Sequence, residues 1–236
     1  MSAVTTAASL VVFPVLAGAV GGAVAVIRTP SPALVSGVQH LAAGIVMAAV
    51  AGEVLPELQA SGPLSLMVIG FATAVALLLV MSRFEGDGDA AGGVPVGFLA
   101  VIGVDLLIDG LLVGASAAVS AGTATIITVA LTAEVLFLGL AAALQLMRCG
   151  MSRVAAAAVT AGLSLVVAVG AIVGALLLAD ASAPVLTFVL AFAAAALLWL
   201  VVEELLVEAH ETPERPWMAA MFFIGFLALF CLEALG

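Results

Sequence analysis

The chain has 236 residues, of which 66% are hydrophobic and 8% charged, against about a quarter charged in soluble domains. That composition excludes a soluble globular protein and predicts an all-α integral membrane protein, one transmembrane domain over residues 1–236. A net charge of −10 with no lysine excludes a nucleic-acid binder and a polybasic lipid-binding surface.

About 20 mostly apolar residues cross a bilayer as a helix. Eight such stretches are expected, near residues 8–27, 34–58, 64–82, 95–119, 122–147, 154–179, 184–209 and 217–235. Met1–Leu10 carries no positive charge ahead of its apolar run, so it reads as the start of a retained helix rather than a signal peptide. Thr29-Pro30-Ser31-Pro32 ends the first helix. Gln39 and His40 lie near the start of the second, and Glu53-Val54-Leu55-Pro56-Glu57 near its end, followed by Pro63. The third closes on Arg83 and a Gly/Asp linker, Phe84–Gly93, whose Glu85, Asp87 and Asp89 read as solvated loop charges. Pro95 and Pro184 open helices four and seven, where a missing N–H costs nothing. Helix four carries Asp105 and Asp109, and helix five, reached through Ser120-Ala121-Gly122, carries Glu134. Helix seven carries Glu203 and Glu204, then Glu208, His210 and Glu211 toward its end, before Pro213 and Pro216. Cys149 and Cys231 fall at opposite membrane faces, which implies no disulfide.

All five arginines, Arg28, Arg83, Arg148, Arg153 and Arg215, fall on one side of an eight-helix chain. The positive-inside rule makes that side the cytoplasm and puts both termini outside. The expected setting is the plasma (inner) membrane, crossed several times. Five of five on one face supports the eight-helix count, and the sequence also hints at internal symmetry. Glu53-Val54-Leu55-Pro56-Glu57 and Glu204-Leu205-Leu206-Val207-Glu208 share Glu-x-Leu-x-Glu near opposite membrane faces. An inverted repeat of the first three and last three helices around helices four and five, a 3+2+3 arrangement, would give that.

The chemistry lies in the acids. Asp105 and Asp109, four residues apart, share one helix face. An ionised aspartate at a bilayer centre costs roughly 2.5–3.5 kcal/mol even on mild scales. Glu134 is expected at the same depth on a neighbouring helix, with Gly103, Gly110, Gly114, Ala130 and Ala133 letting the two pack closely. Three carboxylates at that depth demand positive charge, from a cation or from protons. Glu203 and Glu204 lie inside their apolar stretch and read as further ligands, Glu53 as part of an outer funnel. His40, Glu208 and His210 at the cytoplasmic end read as a vestibule that passes a metal onward. The bland alternatives are a structural contact between protonated acids at the centre and ordinary interfacial polarity at the helix ends. A proton relay or proton-coupled monovalent carrier would use the same acids. An intramembrane enzyme is disfavoured, because both histidines lie at helix ends and Asp105 and Asp109 share one helix.

Eight spans, termini outside and a site on helices four and five resemble the ZIP (Zrt/Irt-like) divalent-metal transporters. The likeness covers nearly the whole chain, including His40–Glu57 in helix two. In helix four, Asp105-Leu106-Leu107-Ile108-Asp109-Gly110 stands where the family carries His-Asn-x-x-(Asp/Glu)-Gly. Asp109 and Gly110 match, Asp105 replaces the usual histidine, and Leu106 replaces an asparagine ligand. In helix five only Glu134 remains of a motif richer in His, Gln and Asn. Helix six, where the family often has a glutamate, has none. The resemblance implies a non-enzymatic transporter, often homodimeric, moving a divalent metal ion (zinc, manganese, iron, cobalt or cadmium) toward the cytoplasm by alternating access of two helix bundles. A relative with a degenerate site and a sensing role is the remaining alternative. An all-carboxylate site suits harder ions, whereas imidazole suits zinc and other transition metals.

Overall fold

The computed structural model describes residues 2–28, 30–85, 96–213 and 215–235. Asp87 and Asp89 of the linker, Pro95, Thr29 and Glu214 lie outside the described residues. The described residues are helical almost throughout, with no strand among them. The helices are α1 (Ala3–Ile27), α2 (Pro32–Ala60), α3 (Leu64–Glu85), α4 (Val96–Val119), α5 (Ala121–Arg148), α6 (Arg153–Leu178), α7 (Ala183–His210) and α8 (Pro216–Leu235). Among the described residues seven of them, α1 to α7, are long and apolar enough to cross a membrane, and α8 is apolar over Pro216–Leu232. The chain therefore has the build of a multi-pass membrane protein. Leu16, Val68, Leu176, Phe223 and Leu227 are among many large apolar side chains left exposed on the outside of the bundle, the surface that lipid would cover.

Serines start the helices. Ser2, Ser31, Ser120 and Ser152 each accept a hydrogen bond from the backbone N–H three residues on, satisfying a donor that a helix start leaves orphaned. Gly150 ends α5 with φ 88°. Its N–H donates to Met147 O and that of Met151 to Leu146 O, both at 3.0 Å, a closure that needs a residue without Cβ. The first helix differs from the expectation. It begins at Ala3 and breaks at Val11. Pro14 has no N–H and its ring crowds the carbonyl four residues back, at Leu10, where the first segment stops.

Two helices widen. α2 takes a π-turn over Val50–Val54 and α7 over Leu200–Leu205. Pro56 accounts for the first, since its ring would crowd the Gly52 carbonyl in a regular helix. Nothing comparable in α7 explains the second. Each widened turn carries a glutamate of the Glu-x-Leu-x-Glu pair, Glu53 in one and Glu204 in the other.

The packing is paired. α1 lies on α5 and α6 on α4; α2 lies on α8 and α7 on α3; α1 touches α6, α4 touches α5, α2 touches α5 and α4 touches α7. Glycines set the tightest crossings. A Cβ on Gly110 would sit 2.1 Å from Val167 O, and one on Gly170 would sit 2.3 Å from Leu107 O, so α4 and α6 meet backbone to backbone. Gly21 and Gly139 do the same for α1 and α5, with gaps of 2.0 Å to Leu136 O and 2.3 Å to Gly18 O. This corrects one expectation: Gly110 and Gly114 hold α4 against α6, not against α5. The acid-bearing helices are clamped from behind, and the space between them is left for side chains.

Candidate cation site

On an α-helix one residue is a turn of about 100°. With Gly110 pressed onto α6, Asp109 is swung away from that contact, and Asp105 lies one turn below it on the same face. α5 presents Glu134 from the other side. One carboxylate oxygen each from Asp105, Asp109 and Glu134 all lie within 4.8 Å of one another. Asp109 is 4% exposed and Glu134 2%, while Asp105 is half-buried. The surrounding core is apolar: Ile102, Leu106, Val113, Ile127, Leu131 and Val135. In such a medium two or three carboxylates cannot all stay ionised without a compensating charge.

The hydroxyls nearby do not supply it. Ser116 Oγ donates to Val113 O at 2.9 Å, Thr128 Oγ1 to Ala124 O at 2.6 Å and Thr132 Oγ1 to Thr128 O at 2.6 Å. Each satisfies itself on its own helix. Asp109 Oδ2 and both oxygens of Glu134 are buried with no hydrogen-bond partner. Native proteins rarely leave such groups unmet, and each one calls for an explanation. A cation bound among the acids, or protons held on them, would answer that need.

Glu204, in the widened turn of α7, is half-buried, and its charge acts on both Asp109 and Glu134. Glu203, the adjacent residue, is exposed. The two glutamates differ in exposure because neighbouring helix positions point in different directions. Glu53 is not gathered into the cluster. Its Oε1 accepts from Thr123 Oγ1 at 2.7 Å, tying the end of α2 to the start of α5.

His40, Glu208 and His210 form a second group, where α2 begins and α7 ends. Ser36 Oγ donates to Ala209 O at 2.7 Å, and Gln39 Nε2 donates to Glu208 Oε2. The rings of His40 and His210 lie 5.4 Å apart, tilted by 59°. Side-by-side placement of these two histidines was not visible from sequence spacing, since 170 positions separate them; the only signal was that both lie at the same predicted membrane face. No family model matches the chain, and no curated protein matches its sequence.

Proposed function

We propose that this chain is a ZIP-like transporter of divalent cations, with eight transmembrane helices in a 3+2+3 inverted repeat, both termini extracytoplasmic, and a substrate ion held by Asp105, Asp109 and Glu134 with Glu204 beside them. The observation that carries this reading is the set of three buried carboxylate oxygens without partners, on Asp109 and Glu134. Intramembrane acids of this kind mark ion pathways. The paired packing supports the repeat: exchanging α1 with α6, α2 with α7, α3 with α8 and α4 with α5 turns the contacts of α1 on α5 and α2 on α8 into those of α6 on α4 and α7 on α3. The widened turns of α2 and α7 fall at matching places in that exchange. Such turns cluster at functional sites.

The donors are oxygens only, which favours hard divalent ions such as Mn²⁺ over ions that seek imidazole. Net movement is toward the arginine-bearing, cytoplasmic side. The test is uptake of Mn²⁺ and Zn²⁺ into proteoliposomes by the wild type and by Asp105→Asn, Asp109→Asn and Glu134→Gln. Uptake is expected to fall to background in each variant. Transport surviving all three changes would sink the site, and proton flux in the absence of any divalent ion would favour a proton carrier built on the same acids.

A further inference from the structure

We propose that one corner of the bundle, where α1 and α5 end and α6 begins, binds a single anionic phospholipid, its phosphate held by Arg28, Arg148 and Arg153 and an acyl chain laid along α1. The register of the three helices brings the arginine positions together. A Cβ on Gly18 would meet Ser164 and one on Gly22 would meet Thr160, so four residues forward on α1 are four back on α6. Carried on to Arg28, that antiparallel register arrives at Val154, beside Arg153. α5 runs parallel to α1: a Cβ on Gly18 would meet Val135, and Ala25 packs with Leu140 and Ala143. Counting on from Ala25 against Ala143 sets Arg28 against Leu146, two residues and about 3 Å of helix axis short of Arg148. Arg148 and Arg153 are joined by the short turn Cys149–Ser152.

Nothing local neutralises this corner. The sequence has no acid before Glu53 and none between Glu134 and Asp180, the two stretches that supply α1, the second half of α5 and all of α6. The three arginines are exposed, and none of them has an ion pair among the described residues. Like charges gathered in one place repel and call for a counter-charge, and the planar fork of arginine matches phosphate oxygens two at a time. The positive-inside rule asks only for arginine on one side of the membrane; it gives no reason for three to share an acid-free corner. The apolar part of a lipid is matched as well. Val154 and Ile27 are 81% and 78% exposed, the largest values among the big apolar side chains described, and each adjoins one of the arginines. Phe13, Leu16, Val20, Val24 and Ile27 follow at steps of three and four, so they form one exposed stripe along α1 that stops at Arg28. Inorganic phosphate would use the arginines alone, whereas a phospholipid uses the stripe too. The net charge of −10 excludes a polybasic surface, and three arginines around one headgroup are not a polybasic surface. None of these residues belongs to the carboxylate cluster, so the site stands or falls apart from the cation reading.

Full-length protein in nanodiscs of phosphatidylcholine doped with phosphatidylglycerol is released into detergent and weighed intact by mass spectrometry. The wild type is expected to retain one phosphatidylglycerol in preference to phosphatidylcholine, and to unfold at a higher temperature with added phosphatidylglycerol but not with inorganic phosphate. Arg28→Gln/Arg153→Gln should bind the lipid more weakly, by roughly fivefold for each arginine removed, while unfolding as the wild type does in phosphatidylcholine alone. Arg83→Gln/Arg215→Gln removes the same charge from the end of α3 and the turn between α7 and α8, and should bind as the wild type does. The single changes Arg153→Gln and Arg83→Gln give the same comparison at one charge if a double variant folds poorly. Equal weakening at the two pairs would mean general charge attraction and overturn the site. So would the absence of any preference for phosphatidylglycerol, or a stabilisation by inorganic phosphate as large as that by the lipid.

Discussion

Asp109 and Glu134 meet between α4 and α5 with three of their four carboxylate oxygens buried and without a hydrogen-bond partner. Each such group carries a desolvation cost of about 1–3 kcal/mol, and mutual repulsion adds to it when both are ionised. Removing a charge should therefore relieve the protein. In metal-free detergent solution Glu134→Gln and Asp109→Asn are expected to unfold at higher temperature than the wild type, by a gain on the order of 1–3 kcal/mol. The same variants should lose the stabilisation by Mn²⁺, which for the wild type reaches about 2.7 kcal/mol at a concentration a hundred times the dissociation constant. Thermal unfolding with and without Mn²⁺ checks both. A less stable variant that still responds to Mn²⁺ would contradict the assignment.

Much of this arrangement is legible in the sequence, because a bilayer-scale apolar run is a strong signal and Asp105 and Asp109 must share a face at their spacing. What the sequence does not carry is which neighbour each face meets. Periodicity shows that Gly110 and Gly114 make a smooth strip, but only the folded packing directs that strip to α6. The same limit separates Glu203 from Glu204. Both lie in an apolar stretch and in the same widened turn, and only the packing of α7 leaves Glu203 exposed and Glu204 half-buried. Pro14 was a readable signal for the break in α1, since a proline inside an apolar helix disturbs the turn before it. The meeting of His40 with His210 depends on the start of α2 lying against the end of α7, a tertiary fact with no local trace.

The glycine crossings make a contrast that stability measurements can resolve. A methyl at Gly110 would lie 2.1 Å from a backbone oxygen that cannot move without shifting α6. Gly110→Ala is expected to cost about 1–3 kcal/mol or more through overpacking and to depress transport by displacing Asp109. Gly162, in α6, has nothing within 4 Å of an added Cβ. Gly162→Ala should be neutral or stabilise by about 0.5–1 kcal/mol, because alanine loses less freedom in a helix. Equal effects at the two positions would mean that α4 and α6 do not touch as described.

At the other end of the bundle, Ser36 is 1% exposed and donates to Ala209 O at 2.7 Å. Ser36→Ala leaves that carbonyl without this donor and should destabilise the protein by about 0.5–1.5 kcal/mol. Thermal unfolding of the two proteins in the same detergent checks this. A variant as stable as the wild type would show that the bond does not hold the two helices together.

Orientation can be read from a cysteine already in place. Cys149 is free and exposed, set between Arg148 and Arg153 in the turn that joins α5 to α6. The contacts place this turn with the other arginines. Thr123 at the start of α5 meets Glu53 near the end of α2, while Ser36 at the start of α2 meets Ala209 at the end of α7, so the end of α5 lies at the same end of the bundle as Arg28, which precedes α2, and Arg215, which follows α7. If the arginine end faces the cytoplasm, Cys149 is shielded in intact cells. In a Cys231→Ser background, a membrane-impermeant maleimide should leave intact cells unlabelled and label inverted vesicles at Cys149. Labelling in intact cells would reverse the orientation and, with it, the direction assigned to cation movement.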